Sequence, residues 1–389
     1  MRTTTNVMAD LRGVLSVYWI AGTVAVLAGV MPARAGFGDR ITISDTEFRA
    51  GTNRIWINGA NTPWHKWNDF GGGFDAAWWD KHFQQLHENG INATRVWISC
   101  SGDVGIKISA NGHVSGCTPA FWRDLDSLFR IAQERQIYVM ATLMSFDHFS
   151  DKYPRNQRWR NMITDSNNVD SLVANYVVPF VNRYKGNPWL WSIDLCNEPD
   201  WIYENAKCGK LPWKPIQAYF GKASAAVHAN SGILVTVGIS MAPKYLSDKR
   251  AANVLSDNAL RAMAGGDPRA HVDFYAPHYY DWQGRYNHNP FYMSPIAYGL
   301  PGARPALFGE FPSKGTASHT TAEDYESAYE NGWQGAMGWT SNGVDETGSL
   351  VKLGPATRAF RARHNALVFP GKETDEPAAL AVPIPAPKP

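Results

Sequence analysis

The chain has 389 residues, 44% of them hydrophobic, and a formal net charge of +2. That length suits one large α/β barrel or two domains. The near-neutral balance, with no Lys/Arg block, excludes a nucleic-acid or membrane-surface footprint, so neither partner is expected.

Met1 to Ala35 reads as a secretory signal: Arg2 and Arg12 precede or flank an apolar run from Val14 to Val30, and Ala33-Arg34-Ala35 fits small-x-small cleavage. Cleavage before Gly36 and a secreted or periplasmic location are expected; the alternative is an uncleaved membrane anchor. Next, FRAGTNRIWINGANTPW (Phe48 to Trp64) places alternating residues around an AGTN turn, predicting a short N-terminal hairpin that runs into a buried strand.

Helical and β-rich segments then alternate. Strands are expected near 55–58, 93–98, 137–143, 190–195, 234–237, 274–276, 306–308 and 336–338. Amphipathic helices are expected at 76–89, 121–135, 169–184, 216–229, 257–264 and 321–331. Eight strands alternating with helices predict a (β/α)8 TIM barrel over residues 36–370, with its site at the strand C-termini. A doubly wound open sheet is disfavoured, because the glycines at 71–73 lack both dinucleotide-loop spacing and a Walker lysine. Residues 371–389 are Pro- and Ala-rich and are expected to form a disordered tail.

Two of the strands end in acid. LWSIDLCNEPDW runs an apolar strand directly into Glu198, and PALFGEF does the same at Glu310. An ionisable group at a strand's C-terminal mouth points to chemistry. As ends of the fourth and seventh strands of a closed barrel, the two would face each other at about 5–5.5 Å, the separation that serves retaining glycoside hydrolysis. The structural alternative for each is an ion pair with a barrel arginine. Sixteen Trp and sixteen Tyr serve either as surplus packing or as platforms for sugar rings.

The Asn197-Glu198-Pro199 run after strand four, with Glu310 after strand seven, resembles the clan A glycoside hydrolases, and family 5, the cellulase and mannanase family, most of all. The resemblance spans about residues 48–364. It implies Glu198 as general acid/base, Glu310 as nucleophile and Asn197 as the donor to the sugar 2-hydroxyl. It also implies Arg95 in NATRVWIS beside the nucleophile, and His278 and Tyr280 in PHYYDW facing the pocket, since residues two apart on an extended segment share a side. Trp339 in GAMGWTSNG would floor the reacting subsite. Each has a bland counterpart: a salt bridge for Arg95, a satisfied core histidine for His278 and a barrel plug for Trp339.

After strand three the chain departs from the family's D-x-H-like run, because SFDHFSD offers both Asp147 and His148; His148 is taken as the pocket residue. Trp64, with His65 and Trp67, is either a distal sugar platform or a packed loop. The spacing of the four cysteines invites Cys100–Cys117 and Cys196–Cys208 bridges, one of three connectivities. No cofactor is needed, and no metal is assigned, since Asp345 and Glu346 lack calcium-loop spacing. The expected activity is hydrolysis of a β-linked polysaccharide or oligosaccharide, glucan or mannan, by a monomer; the alternatives are a non-catalytic carbohydrate-binding barrel and a transglycosylase.

Overall fold

The computed structural model describes residues 36–247, 253–285, 288–317, 319–346 and 348–372. The signal segment expected at 1–35 and, apart from Gly371 and Lys372, the tail expected at 371–389 lie outside the described residues.

Three short antiparallel strands open this part of the chain: β1 (Ile41–Ser44), β2 (Glu47–Ala50) and β3 (Asn53–Arg54). The expected AGTN turn joins β2 to β3, with Gly51 at φ 59° where a β-carbon would be strained. The hairpin therefore gains a strand upstream of Phe48.

The parallel strands are β4 (Ile57–Asn61), β5 (Ala93–Trp97), β8 (Tyr138–Thr142), β9 (Leu190–Asn197), β10 (Leu234–Ile239), β11 (Ala276–Pro277), β12 (Phe308–Pro312) and β13 (Gly335–Trp339). An antiparallel ribbon, β6 (Ile106–Ile108) with β7 (Val114–Cys117), is inserted after β5. The eight parallel strands neighbour one another in chain order, with β13 returning to β4. Parallel bridges from Tyr275 to Ala306 and from His278 to Glu310 close the remaining seam. The fold is the expected (β/α)8 barrel.

Helix boundaries follow local chemistry. Asp75 caps helix Ala76–Glu88 by accepting from Trp78 N, and Thr118 caps Pro119–Arg135 by accepting from Phe121 N. The helix expected over 169–184 runs unbroken from Ser166 to Tyr184, widened by one looser helical turn at Val173–Val177. Pro179 has no N–H to continue the regular ladder, which accounts for the widening. A helix at Leu350–Val368, not anticipated from the sequence, packs against β4 and helix Thr321–Glu330.

All four cysteines are free thiols, so neither expected bridge forms. Cys100 packs among Trp64, Trp97 and Trp339, whereas Cys117 sits on the inserted ribbon opposite Ile106. Cys196 and Cys208 are both buried in the main core without bonding. Sequence spacing carries no information on the direction of Cβ vectors, and that direction decides whether sulfurs meet.

Candidate active site

Arg95, midway along β5, points into the barrel and is 1% exposed. Its Nε and Nη2 donate to Asp194 Oδ2 at 3.0 and 2.7 Å, and Nη2 also reaches Asn197 Oδ1 at 2.8 Å. Nη1 donates to Glu310 Oε1 at 2.7 Å and to Asn61 Oδ1 at 3.2 Å. One guanidinium thus ties β5 to β4, β9 and β12, using the planar fork that only arginine has. Asp194 is held by further donors, Thr142 Oγ1 at 3.0 Å and Gly238 N at 3.0 Å.

Glu198 leaves the end of β9 with φ 46°, a backbone region that costs a residue with a β-carbon about 1 kcal/mol or more. Its surroundings hold it there. Its N–H donates to Gly238 O at 2.8 Å, Pro199 follows, and Asp200 accepts from Ser240 N and Met241 N at 3.1 and 2.9 Å. The Glu198 carboxyl accepts from Trp201 Nε1 at 3.0 Å and faces His278 Nδ1 at 2.9 Å. The same Nδ1 lies 3.5 Å from Glu310 Oε1, and oxygens of the two glutamates come within 4.8 Å of each other. Tyr280 OH donates to Glu310 Oε2 at 2.7 Å.

His278 sits beneath the two carboxylates in a slot that glycine makes possible. A β-carbon at Gly238 would lie 2.6 Å from His278 Nε2, and one at Gly309 would lie 2.9 Å from it. Burial lowers His278 to about 4, so the ring is neutral near pH 7. Nε2 has no hydrogen-bond partner among the described residues, so Nδ1 is the ring nitrogen that shares a hydrogen bond with Glu198.

The two glutamates are electrostatically unequal. Burial raises Glu198 to about 7, against the opposing pull of Arg95 and the Trp201 hydrogen bond. Burial also raises Glu310, and there Arg95 and the Tyr280 hydroxyl oppose it while the charge of Glu198 adds to it. Asp194 and Glu310 already give Arg95 two anions, so a third charge at Glu198 is disfavoured. The pair suits one protonated acid beside one ionised nucleophile.

A cleft of about 700 Å³ opens above them, lined by Trp64, Trp67, Trp97, Phe146, Asp147, Lys152, Tyr153, Asn197, Glu198, Tyr280, Glu310, Trp339 and Asp345. Trp64 packs edge-on to Trp67 and Trp97 with centroids 4.7 and 5.0 Å apart, and Trp67 stacks on Tyr153 at 5.4 Å. Trp201, which donates to Glu198, has Trp282 at 6.3 Å.

The structure therefore gathers Arg95, Asn197, Glu198, His278, Tyr280, Glu310, Trp339 and Trp64 at one mouth. His148 is not with them. A tight turn at Phe146–Phe149 directs Phe146 and Asp147 to the cleft and His148 inward, where Ser99 Oγ lies 3.0 Å from Nε2 and Ser145 N donates to Nδ1 at 3.2 Å. His148 belongs to the packing behind the wall, edge-on to Trp159. Sequence reasoning assigned no role to Asp194, Asn61, Trp97, Tyr153 or Trp201. Asp194 had a visible signal, a charged residue inside an otherwise apolar strand; the slot glycines had none.

A closed parallel barrel that brings two strand-end glutamates together over an arginine is the arrangement of clan A glycoside hydrolases; this chain is a β-glycoside hydrolase that resembles that clan, family 5 most of all. A mannan endo-1,4-beta-mannosidase of Cryptopygus antarcticus is 27% identical over 330 residues, spanning 77% of this chain and 84% of the relative. Another, from Mytilus edulis, is 25% identical over 348 residues, spanning 82% and 93%. In the fold itself, the beta-1,4-mannanase of the sea hare Aplysia kurodai superposes with a TM-score of 0.75 at 24% identity, covering 84% of this chain and 98% of that one. The beta-mannanase of Mytilus edulis gives 0.74 at 22%, with the same coverage. No protein-family model matches.

Proposed function

We propose that this chain is an exported, retaining endo-β-1,4-mannanase. The observation that carries the mechanism is the approach of the Glu198 and Glu310 oxygens to within 4.8 Å, close to the roughly 5–5.5 Å of double displacement and short of the roughly 6.5–9.5 Å that leaves room for an inverting water. Two relatives named mannan endo-1,4-beta-mannosidases, matched over most of both chains, support the substrate. The same two relatives, named as endo-acting, support cleavage within the chain.

In this reading Glu310 attacks the anomeric carbon while Glu198 gives its proton to the departing oxygen. Glu198 then removes a proton from the water that releases the sugar, whose β configuration is restored. Arg95 and Tyr280 hold Glu310 in line. Asn197 has its Oδ1 occupied by Arg95, which orients the amide so that Nδ2 donates toward a sugar 2-hydroxyl, and Trp339 supplies the apolar floor.

Mannan, glucan and xylan oligosaccharides, followed by product mass and early anomer analysis, test this. Internal cleavage of mannan with β-anomer appearing first is expected; α-anomer first, or cleavage of glucan with mannan untouched, would overturn it. Export predicts a mature N-terminus at Gly36 by mass spectrometry, and a retained Met1 would contradict it.

The protonation of Glu198 yields a pH prediction. The acid works only while protonated, so kcat/KM should fall about tenfold per pH unit above a midpoint near the Glu198 value of about 7. Glu198→Gln should remove that basic limb along with most activity on poor leaving groups. A basic limb unchanged in this variant would assign it to another group.

A further inference from the structure

At the barrel face opposite the cleft, three potential metal ligands converge. His228 lies in the last turn of helix Trp213–Asn230, while His271 and Asp273 stand two apart on the segment leading to β11. One ligand atom from each falls within 4.8 Å of the other two.

The hydrogen bonds of His228 require a cation on its ring. Nδ1 is 2.7 Å from the carbonyl oxygen of Arg269, which can only accept, so Nδ1 carries a proton. Nε2 is 2.9 Å from Asp273 Oδ2, an oxygen that also accepts from Val235 N at 2.7 Å. A bare Nε2 lone pair facing a carboxylate is repulsive, so Nε2 must hold either a second proton or a metal ion.

Three features favour a metal. Donation of the distal Nδ1–H to a backbone carbonyl is the usual way a ligating histidine is oriented. His271 Nε2 stands 3.5 Å from Asp273 Oδ1, too far for a good hydrogen bond, and its buried Nδ1 has no partner among the described residues. The approaches of His228 Nε2 to Asp273 Oδ2 and of His271 Nε2 to Asp273 Oδ1, 2.9 and 3.5 Å, lie on either side of the spacing of about 3.3 Å that zinc bonds of about 2.0–2.1 Å set between tetrahedral ligands. His271 stacks on His228 at 4.2 Å, and its side chain is 27% exposed, which leaves it room to turn its Nε2 onto a shared ion. Nearby cations are already paired: Arg304 with Asp257 at 2.7 Å and Arg269 with Asp267 at 2.8 Å.

We propose that His228, His271 and Asp273 form a binding site for a zinc-class divalent cation, with solvent completing the shell. The ion ties the end of helix Trp213–Asn230 to the segment entering β11. It lies away from the chemistry and acts on stability.

Metal-stripped protein titrated with Zn²⁺ at about pH 8 should bind one equivalent at this site, and Co²⁺ should give tetrahedral-type visible absorption. At about 100 times Kd, Zn²⁺ should raise Tm by roughly 3 °C. His271→Ala, at a partly exposed position, should weaken binding at least about tenfold with turnover unchanged, and Asp273→Asn should do the same to affinity. Glu310→Ala should leave this binding intact, which separates it from ions taken up by Glu198, His278 and Glu310. No saturable binding below about 1 mM, unchanged affinity in His271→Ala, or loss of affinity in Glu310→Ala would overturn the proposal. So would a metal-free site in which His228 simply keeps both ring protons when zinc is present.

Discussion

Glu310→Ala is expected to lower kcat by about 10⁴-fold or more, with the fold and substrate affinity retained. The residue is 4% exposed and its carboxylate accepts from Arg95 and Tyr280, so its removal deletes the attacking oxygen and opens a small polar space beneath the anomeric carbon. Azide entering that space should attack from the vacated face, with Glu198 still protonating the leaving group, and form an α-glycosyl azide. A glycosyl azide of β configuration, or wild-type turnover, would remove Glu310 from the nucleophile's role. The same experiment on Glu198→Ala should give the opposite stereochemistry, because azide there takes the place of the deglycosylating water. The contrast between the two products distinguishes the roles of residues whose individual losses look alike in kcat.

Arg95→Met should be the most damaging substitution for the folded state. It removes five donated hydrogen bonds and leaves Asp194, which is fully buried, and Glu310 without their countercharge. Breaking one side of a buried charge network costs about 3–5 kcal/mol, visible as a lower urea midpoint. Arg95 also pulls down both Glu198 and Glu310, so both carboxyls should titrate higher in its absence. The nucleophile then ionises at higher pH, and residual activity should shift toward alkaline conditions. Arg95→Lys keeps a charge, but a single ammonium does not span acceptors on β4, β9 and β12, so it should recover only part of the loss. Stability within about 1 kcal/mol of the parent in Arg95→Met would mean that the network is far less coupled than its distances indicate.

Much of the architecture was legible because it depends on periodicity. Apolar runs alternating with amphipathic helices specify parallel strands and crossovers, and eight of them specify a closed barrel. Boundaries were less legible. The seventh strand was expected to end before Glu310, yet β12 runs on to Pro312, with an irregular register against β13 between Phe308 and Phe311. Likewise, Pro179 was visible in the sequence, but how the helix around it would yield depended on what packs against it.

The choice between Asp147 and His148 shows where local sequence stops. Both are polar, adjacent and chemically apt, and one tight turn decides which of them faces the cleft. The cysteine pairs failed for a related reason: neighbours along the chain need not present their sulfurs to each other.

By itself, the sequence determined the barrel and the positions of the two acids, since strand polarity places every strand's C-terminus at one mouth whatever the loops do. The tertiary structure alone decided how those acids differ. The separation of Glu198 and Glu310, the sharing of Arg95 between Asp194 and Glu310, and the slot that Gly238 and Gly309 leave for His278 are all distances across the barrel. Such distances arise only when the sheet closes, and protonation follows from them, because burial and neighbouring charge act through space and not along the chain.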